Sequence, residues 1–264
     1  MTMQNTPLLM SRILGRGAIL DPDVEVVTLQ ADGTHRQTLK QTWDRSNQVA
    51  HALKTYGIEV SDRIGSFMWN NYRHLELYQG VPSMGSVLHT LNIRLSPTDL
   101  EYIINHANDR VIFADEDLLP LLEPLWDKIS CVELLVISRH GEGGESSFKN
   151  QIDYEDFIKD QPTVYDWPDI PETSPMGLCY TSGTTGKPKG VMYTNRSTYL
   201  HTMAESLTDT MELSSLDSLM GIVPMFHAMG WGLPFCASML GCKQVMPHRF
   251  MVPDAFLKLI HEEE

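Results

Sequence analysis

Short apolar runs alternate with longer stretches of helical spacing along this chain of 264 residues. Residues 24–29 form an apolar run too short for a helix and predict a strand. In residues 39–56, Trp43, Ala50, Leu53 and Tyr56 recur at helical spacing, with Thr38 suited to the N-cap and Gly57 to the residue past the end. A strand is expected at 64–68 and a helix from His74 toward Gly85, which Pro82 should kink or shorten. Residues 87–91 predict another strand. Ser96-Pro97-Thr98-Asp99 reads as a helix start: Ser at the N-cap, Pro at the first position, an acid in the first turn. Strands at 110–114 and 133–137 follow, with a helix expected between them. This alternation predicts an α/β fold of mainly parallel sheets flanked by helices.

The pattern breaks twice. Residues 140–147 are rich in Gly, Glu and Ser and predict an exposed loop; residues 166–175 contain three prolines. The second break divides the expected organisation into a first α/β subdomain at 1–170 and the start of a second at 171–264. The second should hold a strand at 177–180, another at 191–193, a helix near 197–211, a strand near 219–223 and a helix near 252–261.

Charge narrows the function classes. The 34 acidic residues outnumber 20 Lys and Arg, giving a formal net charge of −14, which argues against broad nucleic-acid binding or adhesion to anionic membrane. No apolar run approaches the ~20 residues of a membrane helix, and nothing near the start has a signal-peptide pattern. The four cysteines form no C-x-x-C pair; Cys179 and Cys236 lie in apolar runs, predicting buried free thiols in a reducing, cytoplasmic setting. The ten histidines show no metal-ligand spacing.

Against this acidic background, residues 180–190 read Tyr-Thr-Ser-Gly-Thr-Thr-Gly-Lys-Pro-Lys-Gly. Gly183, Gly186 and Gly190 let backbone N–H groups turn toward an anion. The hydroxyls of Thr181, Ser182, Thr184 and Thr185 can donate to phosphate oxygens, and one can ligate a metal ion. Lys187 and Lys189 add local positive charge. Flanking strand-like runs predict a hairpin-borne phosphate loop. The Walker A spacing is absent: two residues, not four, separate Gly183 and Gly186, and Pro188 follows Lys187. There is no G-x-G-x-x-G fingerprint.

The 180–190 segment closely resembles the phosphate-binding signature of the adenylate-forming superfamily, which includes acyl-CoA synthetases, firefly-type luciferases and peptide-synthetase adenylation domains. Trp69-Asn70-Asn71, Leu91-Asn92-Ile93-Arg94-Leu95-Ser96-Pro97 and Val223-Pro224-Met225-Phe226-His227 resemble further family segments in family order. Phe226-His227-Ala228-Met229-Gly230-Trp231 looks most like medium- and long-chain fatty acyl-CoA synthetases. The resemblance implies part of the large N-terminal domain of such a ligase, without the later Mg²⁺-binding glutamate, ribose-binding aspartate and C-terminal catalytic lysine. The lone chain is therefore expected to be inactive.

The implied chemistry joins a carboxylate to the α-phosphate of ATP and then passes the acyl group to coenzyme A, with Mg²⁺ bridging phosphates. By the same resemblance Thr181 would contact Mg²⁺, Ser182, Gly183, Thr184, Thr185 and Gly186 would wrap the phosphates, and Lys189 would supply the charge. His227 would position the carboxylate or its phosphate partner; a lone histidine is otherwise a satisfied loop or core residue. Trp231 stays open between a gate to the acyl tunnel and a core aromatic. Met220, Met225, Met229 and Met239 stay open between adaptable pocket walls and ordinary core. The expected partners are a fatty acid or other carboxylate, ATP and CoA, and the resemblance allows a homodimer. Aryl- or amino-acid activation, and a non-catalytic nucleotide-binding half-protein, are the competing readings.

Overall fold

The computed structural model of the chain describes residues 3–141, 143–181 and 186–263. Eleven strands are present among them: β1 (Glu25–Gln30), β2 (Gly33–Thr38), β3 (Arg63–Phe67), β4 (Val87–Thr90), β5 (Asp109–Asp115), β6 (Leu134–Ser138), β7 (Gln151–Asp153), β8 (Pro175–Thr181), β9 (Lys189–Thr194), β10 (Ser218–Met220) and β11 (Lys243–Met246). The helices are α1 (Arg16–Leu20), α2 (Leu39–Tyr56), α3 (Tyr72–Ser83), α4 (Pro97–Ala107), α5 (Leu119–Leu122), α6 (Tyr154–Ile158), α7 (Asn195–Glu205), α8 (Leu233–Leu240) and α9 (Pro253–Glu263). A seven-stranded sheet runs β7-β6-β5-β3-β4-β8-β9 and a four-stranded sheet β10-β11-β1-β2. All pairings are parallel except β1–β2 and β8–β9. The α/β class of mainly parallel sheets flanked by helices is what the alternation predicts.

Both faces of the larger sheet are covered, as a parallel sheet requires. Successive side chains point to opposite faces, so Val111 and Phe113 of β5 join Leu53, Leu75 and Tyr78 from α2 and α3. Ile112 and Ala114 of the same strand join Leu100, Ile103 and Ile104 from α4. The local signals act as expected. Thr38 forms a capping box with Gln41, and Gly57 ends α2 at φ 95°, a conformation open to glycine. Ser96 accepts from the Asp99 N–H, with Pro97 opening α4. Pro82 shortens α3, which stops one residue later.

Both sheets combine strands from either side of residue 170. Other expectations need correction. The helix expected between β5 and β6 splits into the short α5 flanked by 3₁₀ turns, because Pro120 and Pro124 each restart the chain. The helix expected to reach residue 211 stops at Glu205. There Thr210 Oγ1 donates to the carbonyls of Ala204, Glu205 and Leu207, competing with the helical ladder. Among the described residues no helix is long and apolar enough to cross a membrane.

Candidate active site

The loop of residues 180–190 hangs from the β8–β9 hairpin, whose antiparallel register sets Thr181 directly opposite Lys189. Both are exposed, and Gly186 lies in the connection between them. Ser182, Gly183, Thr184 and Thr185 lie outside the described residues. The base of the hairpin leans on α4. Tyr180 Oη lies 2.6 Å from His106 Nδ1, and Lys187 Nζ sits 4.8 Å from the centre of the Tyr102 ring. These contacts engage Lys187 and leave Lys189 without an ionic partner among the described residues.

A second segment, 221–232, comes to the same side of the sheet. Asn70, just past β3, places it. Its Nδ2 donates to the carbonyls of Gly221 (2.7 Å) and Val223 (2.8 Å), and its Oδ1 accepts from the Met225 N–H at 2.8 Å. Its neighbour Asn71 caps α3, accepting from the His74 N–H at 3.0 Å. Trp69 stacks edge-on with Phe226 at 6.5 Å, and the Arg94 guanidinium lies 5.8 Å above the same ring. The three separated sequence segments thus meet around Phe226. His227 follows in extended backbone, exposed to solvent.

From Ala228 to Gly232 every residue has a positive φ: 46°, 52°, 60°, 58° and 84°. Ala228, Met229 and Trp231 carry side chains, so the turn is strained by roughly 1–2 kcal/mol per residue. Neighbours hold it in place. Thr90 Oγ1 lies 3.2 Å from the Cys179 sulfur of β8 and 4.0 Å from Met229 Sδ. His201 Nε2 donates to the Trp231 carbonyl at 2.9 Å. At Gly232 a Cβ would stand 2.6 Å from His201 Cδ2, so positive φ and close approach both demand glycine.

This turn roofs a cavity of about 680 Å³, lined among others by Tyr193, His201, Glu205, Met229, Trp231 and Phe235. The volume lies within the roughly 300–1,000 Å³ of small-molecule sites. Trp231 stands at it 61% exposed, which removes the core-aromatic reading left open above. Of the four methionines considered, Met229 lines this cavity, while Met225 and Met239 lie in the main core. Met220 packs instead against the small cluster around Val27 and Leu259.

The sequence reading missed Glu205 and His201 on α7. Glu205 is buried, and its Oε2 has no hydrogen-bond partner among the described residues. Burial pushes its carboxyl up to about 7, against the opposing pull of His201, whose Nε2 is 3.4 Å from Oε1. The available signal was a His-Glu pair four residues apart on the helix after the hairpin. The cysteines are free; burial pushes the Cys236 and Cys242 thiols up to about 12, leaving them unreactive.

Among the described residues the hairpin offers the Thr181 hydroxyl and the ammonium groups of Lys187 and Lys189. Mg²⁺ is held by carboxylates together with substrate phosphates and water. One hydroxyl builds no all-protein cage, so Thr181 fits only a Mg²⁺ that arrives with a nucleotide, whose phosphates Lys189 would meet.

The model of the AMP-binding enzyme family matches residues 18–264. The chain is 40% identical over 241 residues to a medium-chain-fatty-acid–CoA ligase of Ectopseudomonas oleovorans, covering 90% of this chain and 44% of that protein. It is 38% identical over 263 residues to a long-chain-fatty-acid–CoA ligase of Thermus thermophilus, covering 99% and 47%. It spans about half the length of the curated relatives it matches. Among solved structures, the inhibitor-bound N-terminal domain of FACL13 from Mycobacterium tuberculosis aligns with a TM-score of 0.80 at 22% identity, over 97% of this chain and 61% of that one. That likeness shows the shared fold. With a match running through the hairpin, the 221–232 segment and both sheets, this chain belongs to the AMP-binding enzyme family.

Proposed function

We propose that the chain supplies the phosphate-binding hairpin and the acyl pocket of a cytoplasmic fatty acid–CoA ligase. The observation that carries this reading is the cavity beside β9, walled largely by carbon and bordered by Trp231. A flexible alkyl tail fits such a wall, and its carboxylate would emerge toward His227 and the hairpin. The two ligases named above support the same substrate class.

In the first step a carboxylate oxygen attacks the α-phosphorus of ATP and the bond to pyrophosphate breaks. In the second, the sulfur of coenzyme A attacks the acyl carbon and AMP leaves. The attacking carboxylate and the triphosphate are both anionic, so neutralisation and alignment dominate the barrier. Lys189 would meet the β- and γ-phosphates, and Thr181 would donate a hydrogen bond to a phosphate oxygen or coordinate the accompanying Mg²⁺ through its hydroxyl oxygen. Mg²⁺, when bound with ATP, neutralises charge on the departing pyrophosphate. His227, exposed and unencumbered, orients the carboxylate. Trp231 closes the cavity from the nucleotide side.

The test is acyl-CoA formation by the full-length protein from ATP, CoA and acids of graded chain length, with aryl and amino acids as competitors. Turnover that rises with an alkyl tail supports the proposal. Preference for an aryl or amino acid, or no turnover of any acid, sinks it.

A further inference from the structure

We propose that Asp115, His140 and His248 form a binding site for one zinc-class divalent ion, separate from the phosphate hairpin. Asp115 ends β5, His140 lies two residues past β6, and His248 lies two residues past β11. The three are 25 and 108 residues apart in sequence, so no ligand spacing reveals them. In the fold, one donor atom from each lies within 4.8 Å of the other two. The two imidazole rings meet edge to face, 4.4 Å between centres.

The hydrogen bonding of this cluster is incomplete. The His248 side chain is 4% exposed, and neither of its ring nitrogens has a partner. His140 Nδ1 is also buried without one. Each unsatisfied buried polar atom costs about 1–3 kcal/mol, and His248 Nε2, without a hydrogen bond among the described residues, is one that lies beside the Asp115 carboxylate. His140 Nε2 touches Asp115 Oδ1 at 3.0 Å, while His248 Nε2 stays 3.9 Å from Oδ2, beyond hydrogen-bond reach. His248 also adopts a left-handed φ of 55°, and its N–H donates to the Asn70 carbonyl at 2.9 Å. The ring is thus held facing the carboxylate without bonding to it.

The surroundings suit a cation. The Trp69 N–H (2.8 Å) and Asn71 Nδ2 (2.9 Å) donate to Asp115 Oδ2, fixing the carboxylate as outer partners fix a metal ligand. Glu116 and Asp117 add negative charge, balanced by Arg139 at 3.8 Å and Arg249 at 3.9 Å. Two imidazoles and one carboxylate select zinc and its neighbours over Mg²⁺ or Ca²⁺, which prefer oxygen throughout. At bonds of about 2.0–2.1 Å the donors would draw in to roughly 3.4 Å apart, with a water completing the tetrahedron. His140, on a loop and only partly buried, can make that movement. The ion would pin the segment between β11 and α9 to the ends of β5 and β6.

The full-length protein, stripped with chelator, should take up one Zn²⁺ per chain by calorimetry and by metal analysis after dialysis, with a rise in melting temperature. His140→Ala and Asp115→Asn should each weaken uptake by about 100-fold and abolish that rise. His261→Ala, an exposed histidine elsewhere, should change neither. His248→Ala and His140→Ala each remove a buried ring and can fail to fold, so His140→Gln, which keeps most of the bulk and should weaken uptake as strongly, carries the test. Absence of stoichiometric uptake, or wild-type affinity in both His140→Gln and Asp115→Asn, overturns the site. Equal loss in His261→Ala places the ion elsewhere and overturns it too.

Discussion

Glu76 and Glu205 are both buried glutamates on helices packed against the large sheet, yet their surroundings are opposite. Glu76 accepts from Arg45 Nε at 2.7 Å, Gln37 Nε2 at 3.0 Å and Tyr154 Oη at 2.6 Å. Arg45 also forks onto Glu155 with two bonds of 2.9 Å, and Arg73 joins the same carboxylate. Although desolvation opposes both shifts, the half-exposed Glu155 is held below its ordinary range by these two guanidiniums, and Arg45 is held above its own by Glu76 and Glu155. Glu205 has one distant histidine, an unpartnered oxygen and, one turn away, an unpartnered Thr202 hydroxyl. The first cluster joins α2, α3 and α6 and is fully bonded. The second faces the cavity, beside five consecutive left-handed residues. Unsatisfied groups and strain collect where a ligand would enter, and the remainder of the fold offsets them.

If that contrast holds, mutations around Glu76 should act on stability and mutations around the cavity on catalysis. The largest expected effect is Glu76→Ala, which leaves Arg45 Nε and the buried Tyr154 hydroxyl without their acceptor. Breaking such a pair from one side costs about 3–5 kcal/mol. Urea unfolding measures it, and a loss under 1 kcal/mol would erase the distinction between the two clusters.

At the hairpin, Thr181→Ala and Lys189→Ala should leave unfolding within about 0.5 kcal/mol of wild type, since both side chains are exposed. In the full-length protein each should cut adenylate formation by an amount worth roughly 2–4 kcal/mol. Pyrophosphate exchange reports that step. Unchanged exchange in both variants would show that this hairpin does not hold the triphosphate.

How much of this was legible follows from how local each signal is. Caps and terminators act within a few residues, so α2 and α4 could be read from Thr38, Gly57 and Ser96. The 180–190 composition was equally compact, and its hairpin setting followed from the flanking strands. By contrast, α8 is apolar on every side because it is buried on every side, which erases its period. Strand β2 is largely polar because it lies at a sheet edge, and β11 was missed as a four-residue insertion between β1 and β10. A proline-rich connection such as 166–175 marks a break in the chain pattern, while strands from either side of it share both sheets. Trp231 was ambiguous because exposure depends on the left-handed turn before it, which Ala228 and Met229 do not advertise.

Trp231 offers a finer test. An exposed side chain should cost little stability on removal, under about 1 kcal/mol, whereas a core tryptophan would cost about 3–5 kcal/mol. As a gate, Trp231→Ala should alter the ratio of kcat/KM for short and long acids more than it alters ATP affinity. An unchanged ratio would reduce Trp231 to a bystander at the cavity rim.

The smallest expected effect is on the pH dependence set by Glu205. Its folded carboxyl titrates near 7, raised from an unfolded value near 4.5 chiefly by burial. Below pH 4.5 both states are protonated and the residue adds no penalty. Between pH 4.5 and 7 the unfolded chain has lost its proton while the folded chain retains it, so stability falls as pH rises; above 7 the penalty is complete. Glu205→Gln keeps the shape and removes the charge. It should therefore stabilise the protein by about 1 kcal/mol at pH 8, discounted from the full shift because the nearby His201 ring opposes the burial cost, and by nothing below pH 4.5. The measurement is the difference in unfolding free energy between variant and wild type across that range. If Glu205→Gln destabilises equally at both ends, the carboxylate is bonded in the folded chain after all, and Glu205 belongs with Glu76 as a structural anchor, not with the cavity as a group awaiting a partner.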